Sequence, residues 1–171
     1  ILSRRPLASV RCLALLAAPE DALVEPIGAD HHTAGVRYSD APSTIREPRC
    51  LLLGDLDGLR IGTAHFSHIG SGERRLQARA TAEAFEGAPA ALLLGDLNAA
   101  IESPDLSPLA SWTDAFREPA GDPARATTDD GHRIDQVLVR GASVSPARVL
   151  RESGDLSDHY PLLAEVDVTQ E

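Results

Sequence analysis

The clearest pattern along the chain is a pair of apolar runs, Arg49 to Asp55 and Leu59 to His65, on either side of Asp57-Gly58. An Asp-Gly step between apolar runs predicts a tight hairpin, because both central residues of that turn need positive φ. Upstream, Arg11 to Ala17 is apolar enough for a buried strand. Pro19 to Ser43 is rich in Pro, Gly, Asp and His and reads as a long loop, with one short strand at Gly35 to Tyr38. Downstream of the hairpin, Ser71 to Phe85 predicts a helix. Leu76, Ala80 and Ala84 recur at helical spacing, while Gln77, Arg79 and Glu83 supply polar faces. Gly87 and Pro89 end it. Ala90 to Leu94 is wholly apolar, as in a strand covered on both faces, and runs straight into Gly95-Asp96-Leu97-Asn98. Pro104 to Leu109 reads as a loop with a helical turn. Arg133 to Val139, Ser143 to Leu150 and Tyr160 to Val168 predict three further strands. This order predicts a layered α/β or α+β domain.

Composition narrows the class. With 171 residues, of which 43% are hydrophobic and 25% charged, the chain fits one soluble globular domain with a sizeable core. Aromatics are only 4%, so the core is expected to rest on Leu, Val, Ile and Ala. The net charge of -10 disfavours tight, sequence-independent binding to nucleic acid, which needs Lys and Arg on phosphates. A phosphate-bearing substrate stays open, because a bound metal ion can supply local positive charge. No apolar run approaches membrane-spanning length, and no signal peptide opens the chain. The two cysteines, Cys12 and Cys50, lack metal-finger spacing and are expected to be ordinary buried thiols. Nothing here signals an oligomeric state.

Candidate chemistry lies at the ends of predicted strands, where catalytic groups tend to sit. His65 ends the hairpin and could donate to a phosphate oxygen; taken alone, it reads better as a strand-end histidine bonded to backbone. Asp96 and Asn98 end a buried strand two residues apart, which puts both side chains on one side of extended chain. A carboxylate and an amide there suit a hard cation, a water or a phosphoryl oxygen, and equally an Asx turn. Asp135 interrupts an apolar strand and needs a partner unless that strand is an edge. Ser157-Asp158-His159 offers a carboxylate for a metal and an imidazole for proton work, though Asp-His alone reads as a polar loop.

Together, in this order, Gly95-Asp96-Leu97-Asn98, Ile134-Asp135 and Ser157-Asp158-His159 closely resemble the later motifs of the endonuclease/exonuclease/phosphatase family. Thr63-Ala64-His65 matches that family's Asn-Thr-His motif only at the histidine. The resemblance runs over essentially residues 1–171 and implies a four-layer α/β sandwich, two mixed sheets flanked by helices. It implies metal-dependent hydrolysis of a phosphate ester, a phosphodiester by preference, with Mg²⁺ or Mn²⁺ as cofactor. Nucleic acid, phospholipid and small phosphorylated metabolites are all substrate classes of the family. Asp96 and Asn98 would align the attacking water and hold a phosphate oxygen, and His65 would contact the phosphate. Asp158, with Asp96 and Asn98, would form the metal site. His159 would stabilise the phosphoryl transition state or pass a proton, oriented by Asp135.

The family's usual upstream Asn and metal-binding Glu have no counterpart here, since Glu20, Glu25 and Glu47 sit in no matching motif. The chain also opens on Ile1 and holds no methionine. The expectation is an N-terminally truncated domain, inactive or barely active alone. The competing reading is a non-catalytic α/β fragment or binding module that keeps the motifs. A serine hydrolase is disfavoured because no Gly-x-Ser-x-Gly occurs.

Overall fold

A computed structural model describes residues 1, 3–15, 49–68, 70–116, 125–153 and 156–168. The loop read over Pro19 to Ser43, with its short strand, lies outside them, as do Glu20, Glu25 and Glu47. Six strands form one mixed sheet: β1 (Ala8–Leu15), β2 (Arg49–Leu56), β3 (Leu59–Ala64), β4 (Ala90–Asp96), β5 (Thr113–Asp114) and β6 (Asp135–Arg140). Their order across the sheet is β1-β2-β3-β4-β6-β5. The mixed α/β class is the one expected from the sequence.

The β2–β3 hairpin turns on Asp57 and Gly58, with φ of 49° and 83°. Both values are positive, as the Asp-Gly step predicts. β3 then pairs parallel with β4. A parallel pair needs a crossover, and helix α1 (Ser71–Ala84) supplies it.

The core face of α1 differs from the pattern read in the sequence. Gln77, Ala78 and Thr81 are fully buried, together with Phe85 just beyond the helix. Gln77, assigned above to a polar face, lies inside, where its Oε1 accepts from the Ser67 amide at 2.8 Å while its Nε2 is buried with no hydrogen-bond partner among the described residues. A buried amide is tolerated when such a bond offsets its lost hydration. The apolar surface it faces comprises Leu51 and Leu53 from β2, Ala91 and Leu93 from β4, and Leu138 from β6. Aromatics are few, yet Phe66, Phe85, Phe116 and Trp112 are all buried. Each such burial stabilises by roughly 1.5–3 kcal/mol, on a par with each buried leucine around it, and the core still rests mainly on Leu, Ala and Val.

The opposite face of the sheet is covered near β4 and β6 by two ribbons. One pairs β7 (Ser143–Val144) with β10 (Val166–Asp167), the other β8 (Arg148–Val149) with β9 (Leu162–Leu163). Continuous strands were expected over Ser143 to Leu150 and Tyr160 to Val168; each is instead broken in two. Pro146 has no N–H to extend a ladder, and the partner changes beside it, with the Ser145 amide bonding the Glu165 carbonyl. Val137 and Val139 pack beneath the ribbons with Val144.

The cysteines also depart from expectation. Cys12 and Cys50 are both exposed. Alternation along β1 and β2 sends Leu15, Leu51 and Leu53 toward α1 and the cysteines to the other face. No helix among the described residues is long and apolar enough to cross a membrane.

Candidate active site

The strand ends and the turn before β9 gather five of the six predicted residues: His65, Asp96, Asn98, Asp135 and His159. β4 and β6 run antiparallel in a register that sets Gly95 opposite Gln136 and Asp96 opposite Asp135. Gly95 is required by its surroundings. Its φ is 140°, and a Cβ built there would lie 2.0 Å from the Ala64 carbonyl oxygen. Only glycine lets β4 pass β3 this closely and still present the next residue, Asp96, at the strand tip.

Asp96 uses both carboxylate oxygens. Oδ1 accepts from the Asn98 backbone N–H at 2.8 Å, and Oδ2 lies 3.2 Å from His65 Nε2. The Asx turn weighed from the sequence is therefore real, and it coexists with a histidine contact. Asn98 sits at φ 50°, a left-handed position that asparagine tolerates. Its side-chain amide donates to the Phe66 carbonyl at 2.9 Å. That bond ties the Asp96–Asn98 turn to the segment carrying His65, and it leaves Oδ1 and the second amide N–H as the side-chain groups able to touch a ligand.

Asp135 finds its partner in His159, whose Nδ1 lies 2.8 Å from Asp135 Oδ2. The His159 amide donates to the Ser157 hydroxyl at 3.1 Å, so the Ser of Ser157-Asp158-His159 shapes the turn that delivers the imidazole. Asp96, Asp135 and His159 each present one donor atom, and those atoms lie within 4.8 Å of one another. Asp158 is exposed and stands outside that group. Its carbonyl accepts from the Asp129 amide, while its charge still reaches His159.

Electrostatics follow from this crowding. Burial holds the Asp96 carboxyl above its ordinary range, and the facing Asp135 charge pushes the same way. The Asn98 N–H and the two imidazoles oppose that shift without cancelling it. For His159, burial is the largest single influence and favours the neutral ring. The hydrogen bond and charge of Asp135, with the charges of Asp96 and Asp158, outweigh it together and raise the imidazole above its usual value.

Two supports were not legible in the sequence. Gln136, next to Asp135, is buried and donates to the Ala99 carbonyl at 2.9 Å, fixing the chain just past Asn98. Arg74 of α1 pairs with Asp105 at 2.8 Å and also donates to the Ser67 and His68 carbonyls, fixing the chain just past His65. Gln136 and Arg74 carry no motif, and only their tertiary partners identify them.

The sequence pattern of the Endonuclease/Exonuclease/phosphatase family matches residues 1–159, and the chain belongs to that family. Its members hydrolyse phosphate esters, generally with a divalent metal. Solved structures share the fold. An endonuclease/exonuclease/phosphatase from Bacteroides vulgatus is 20% identical, with a TM-score of 0.65 over 96% of this chain and 66% of that one. A mannosyl-6-phosphatase from Bacteroides thetaiotaomicron VPI-5482 is also 20% identical, with a TM-score of 0.62 over 94% and 66%. A 3'-5' exonuclease from Neisseria meningitidis is 20% identical, with a TM-score of 0.58 over 71% and 66%. The chain thus spans just under two thirds of each of these proteins. Among curated protein sequences, none matches it.

Proposed function

We propose that this chain, together with any residues that extend it, hydrolyses a phosphodiester by metal-assisted attack of water. The observation that carries the reading is the meeting of Asp96, Asp135 and His159 at the tips of separate segments. Two carboxylates facing each other across a strand pair are a poor arrangement without a cation, and a good one with it. Oxygen donors beside a histidine fit Mg²⁺ or Mn²⁺, with Asp96 and the Asn98 amide oxygen as the natural holders and Asp158 available from the rim. Such an ion would polarise the phosphoryl group and lower the pKa of a bound water, making it a better nucleophile.

The chain's own groups do the rest. Asp96 accepts the proton of the attacking water, and Asn98 holds it or a phosphate oxygen in place. His65, 3.2 Å from Asp96, contacts the phosphate from the other side of that carboxylate. His159, whose cationic form Asp135 favours, faces the charge that develops on the phosphoryl oxygens. The substrate class spans nucleic acid, phospholipid and small phosphorylated metabolites. The acidic balance favours a substrate that does not depend on broad polyanion contacts.

Residues 1–171 alone are expected to turn over slowly. Among the described residues only Asp96, Asp135 and His159 pool their donor atoms, and Asp135 is already spent on His159. The test uses the intact protein with Mg²⁺ and bis(p-nitrophenyl) phosphate. Chelation should stop turnover and Mg²⁺ or Mn²⁺ should restore it, while His159→Ala should lower it by roughly 10²-fold or more. Undiminished turnover in excess chelator, or in His159→Ala, removes the proposal. Equal specific turnover by residues 1–171 and the intact protein removes the expectation for the isolated chain.

A further inference from the structure

The Asp135–His159 contact joins two segments 24 residues apart in sequence, and neither belongs to the other's strand ladder. Something else must set their spacing. Thr127 occupies that place. It is completely buried, and its hydroxyl oxygen lies 3.2 Å from both the Ile134 and Asp135 backbone amides, accepting from each. Its own carbonyl accepts from the Tyr160 amide at 2.8 Å. The neighbouring Thr128 forms an isolated antiparallel bridge with His159. One residue therefore grips the start of β6 with its side chain and the turn carrying the imidazole with its backbone.

The chemistry of the grip is specific. The Asp135 and Ile134 amides sit at the mouth of β6, where the ladder to β4 begins. The Ile134 carbonyl is taken by the Leu97 amide, so the residue before Asp135 is held at both its N–H and its C=O. Buried amides need acceptors, and an oxygen with two lone pairs can serve two of them. Valine has the shape of threonine and no such oxygen. The Thr127 hydroxyl is anchored in its turn, donating toward the His132 carbonyl at 3.4 Å, while the Thr127 amide donates to the same oxygen at 2.7 Å.

We propose that Thr127 is a positioning residue for the Asp135–His159 pair, holding the carboxylate and the imidazole in register through its hydroxyl and its carbonyl. The inference rests on the phosphodiesterase reading for its effect on turnover, but its effect on the pair does not. A hydroxyl that sets the distance between two catalytic groups acts on the rate more than on substrate capture, and an ångström of misplacement costs on the order of 10²-fold.

The experiment compares wild-type, Thr127→Val and Thr127→Ser versions of the intact protein. The first measurement is the far-downfield proton resonance of His159 Nδ1–H, which reports the bond to Asp135 without substrate or metal. It should be present in the wild type, absent or moved upfield in Thr127→Val, and restored in Thr127→Ser. The second is turnover of bis(p-nitrophenyl) phosphate with Mg²⁺. Thr127→Val should lower kcat by roughly 10²-fold with KM nearly unchanged, and Thr127→Ser should recover most of it. A wild-type resonance in Thr127→Val overturns the proposal. So does equal damage in Thr127→Val and Thr127→Ser, since that would trace the effect to packing. Should Thr127→Val fail to fold, hydrogen exchange in the wild type decides: protected Ile134 and Asp135 amides support the grip, and rapid exchange refutes it. If the wild type itself does not hydrolyse the diester, the phosphodiesterase reading falls while the resonance still judges Thr127.

Discussion

Asp96 and Asp135 face each other directly across the β4–β6 pair, two carboxylates in one register position. Like charges opposite each other in an antiparallel pair destabilise a sheet, by a magnitude of about 0.2–1 kcal/mol. The arrangement persists because each carboxylate has its own histidine, His65 for Asp96 and His159 for Asp135. On the metal-assisted reading proposed above, stability at this point is given up to concentrate negative charge where a cation would bind.

Replacing one of the two charges should separate stability from activity. Asp96→Asn keeps an acceptor for the Asn98 amide and removes the repulsion. Its melting temperature should be equal to or above that of the wild type in metal-free buffer, while diester turnover falls by roughly 10²-fold or more. A clear loss of thermal stability would show that the Asp96 charge supports the fold.

Gly95→Ala should damage the fold itself. The added methyl would meet the Ala64 carbonyl oxygen at 2.0 Å and would force a side chain into φ 140°. Backbone strain of that kind costs about 1–3 kcal/mol before any displacement of β3. Urea denaturation should show a loss of at least that size. A midpoint within error of the wild type would mean that β3 and β4 are less tightly opposed than described.

The titration of His159 can be read directly in metal-free protein. Burial favours the neutral ring, but Asp135, Asp96 and Asp158 together raise the imidazole above its ordinary value. A group raised on folding contributes stability fully below its unfolded value and loses that contribution as pH rises through the folded one. Stability should thus fall with rising pH across the interval from the ordinary imidazole value to the raised one. Following the ring protons by NMR, Asp135→Asn should move the midpoint downward, because burial then acts against weaker opposition. An unchanged midpoint in that variant would break the Asp135–His159 assignment.

Arg133 precedes Ile134-Asp135 and is almost wholly buried, paired with Asp114 at 2.8 Å and set over the Phe116 ring at 4.9 Å. Arg133→Met leaves the Asp114 carboxylate without its cation, a loss of about 3–5 kcal/mol for a buried pair. Adding Asp114→Asn should recover a large part of it in the same denaturation assay. Failure of the second change to help would locate the cost in packing against Phe116.

Local signals in the sequence determined the elements and the candidate atoms. Asp57-Gly58 specified its own turn, the apolar run before Gly95 specified a covered strand, and the Asp, Asn and His side chains stood at predicted strand ends. These are short-range properties, set by φ preference and alternation within a few residues. Tertiary structure decided what those atoms are for. The Asp96–Asp135 register, the grip of Thr127 on β6 and on the turn carrying His159, the burial of Gln77 and Gln136, and the break at Pro146 all depend on partners outside the few residues that set local conformation. The physical reason is that a hydrogen bond or ion pair is a property of two groups and the space between them. A linear chain names the groups, and folding sets the space.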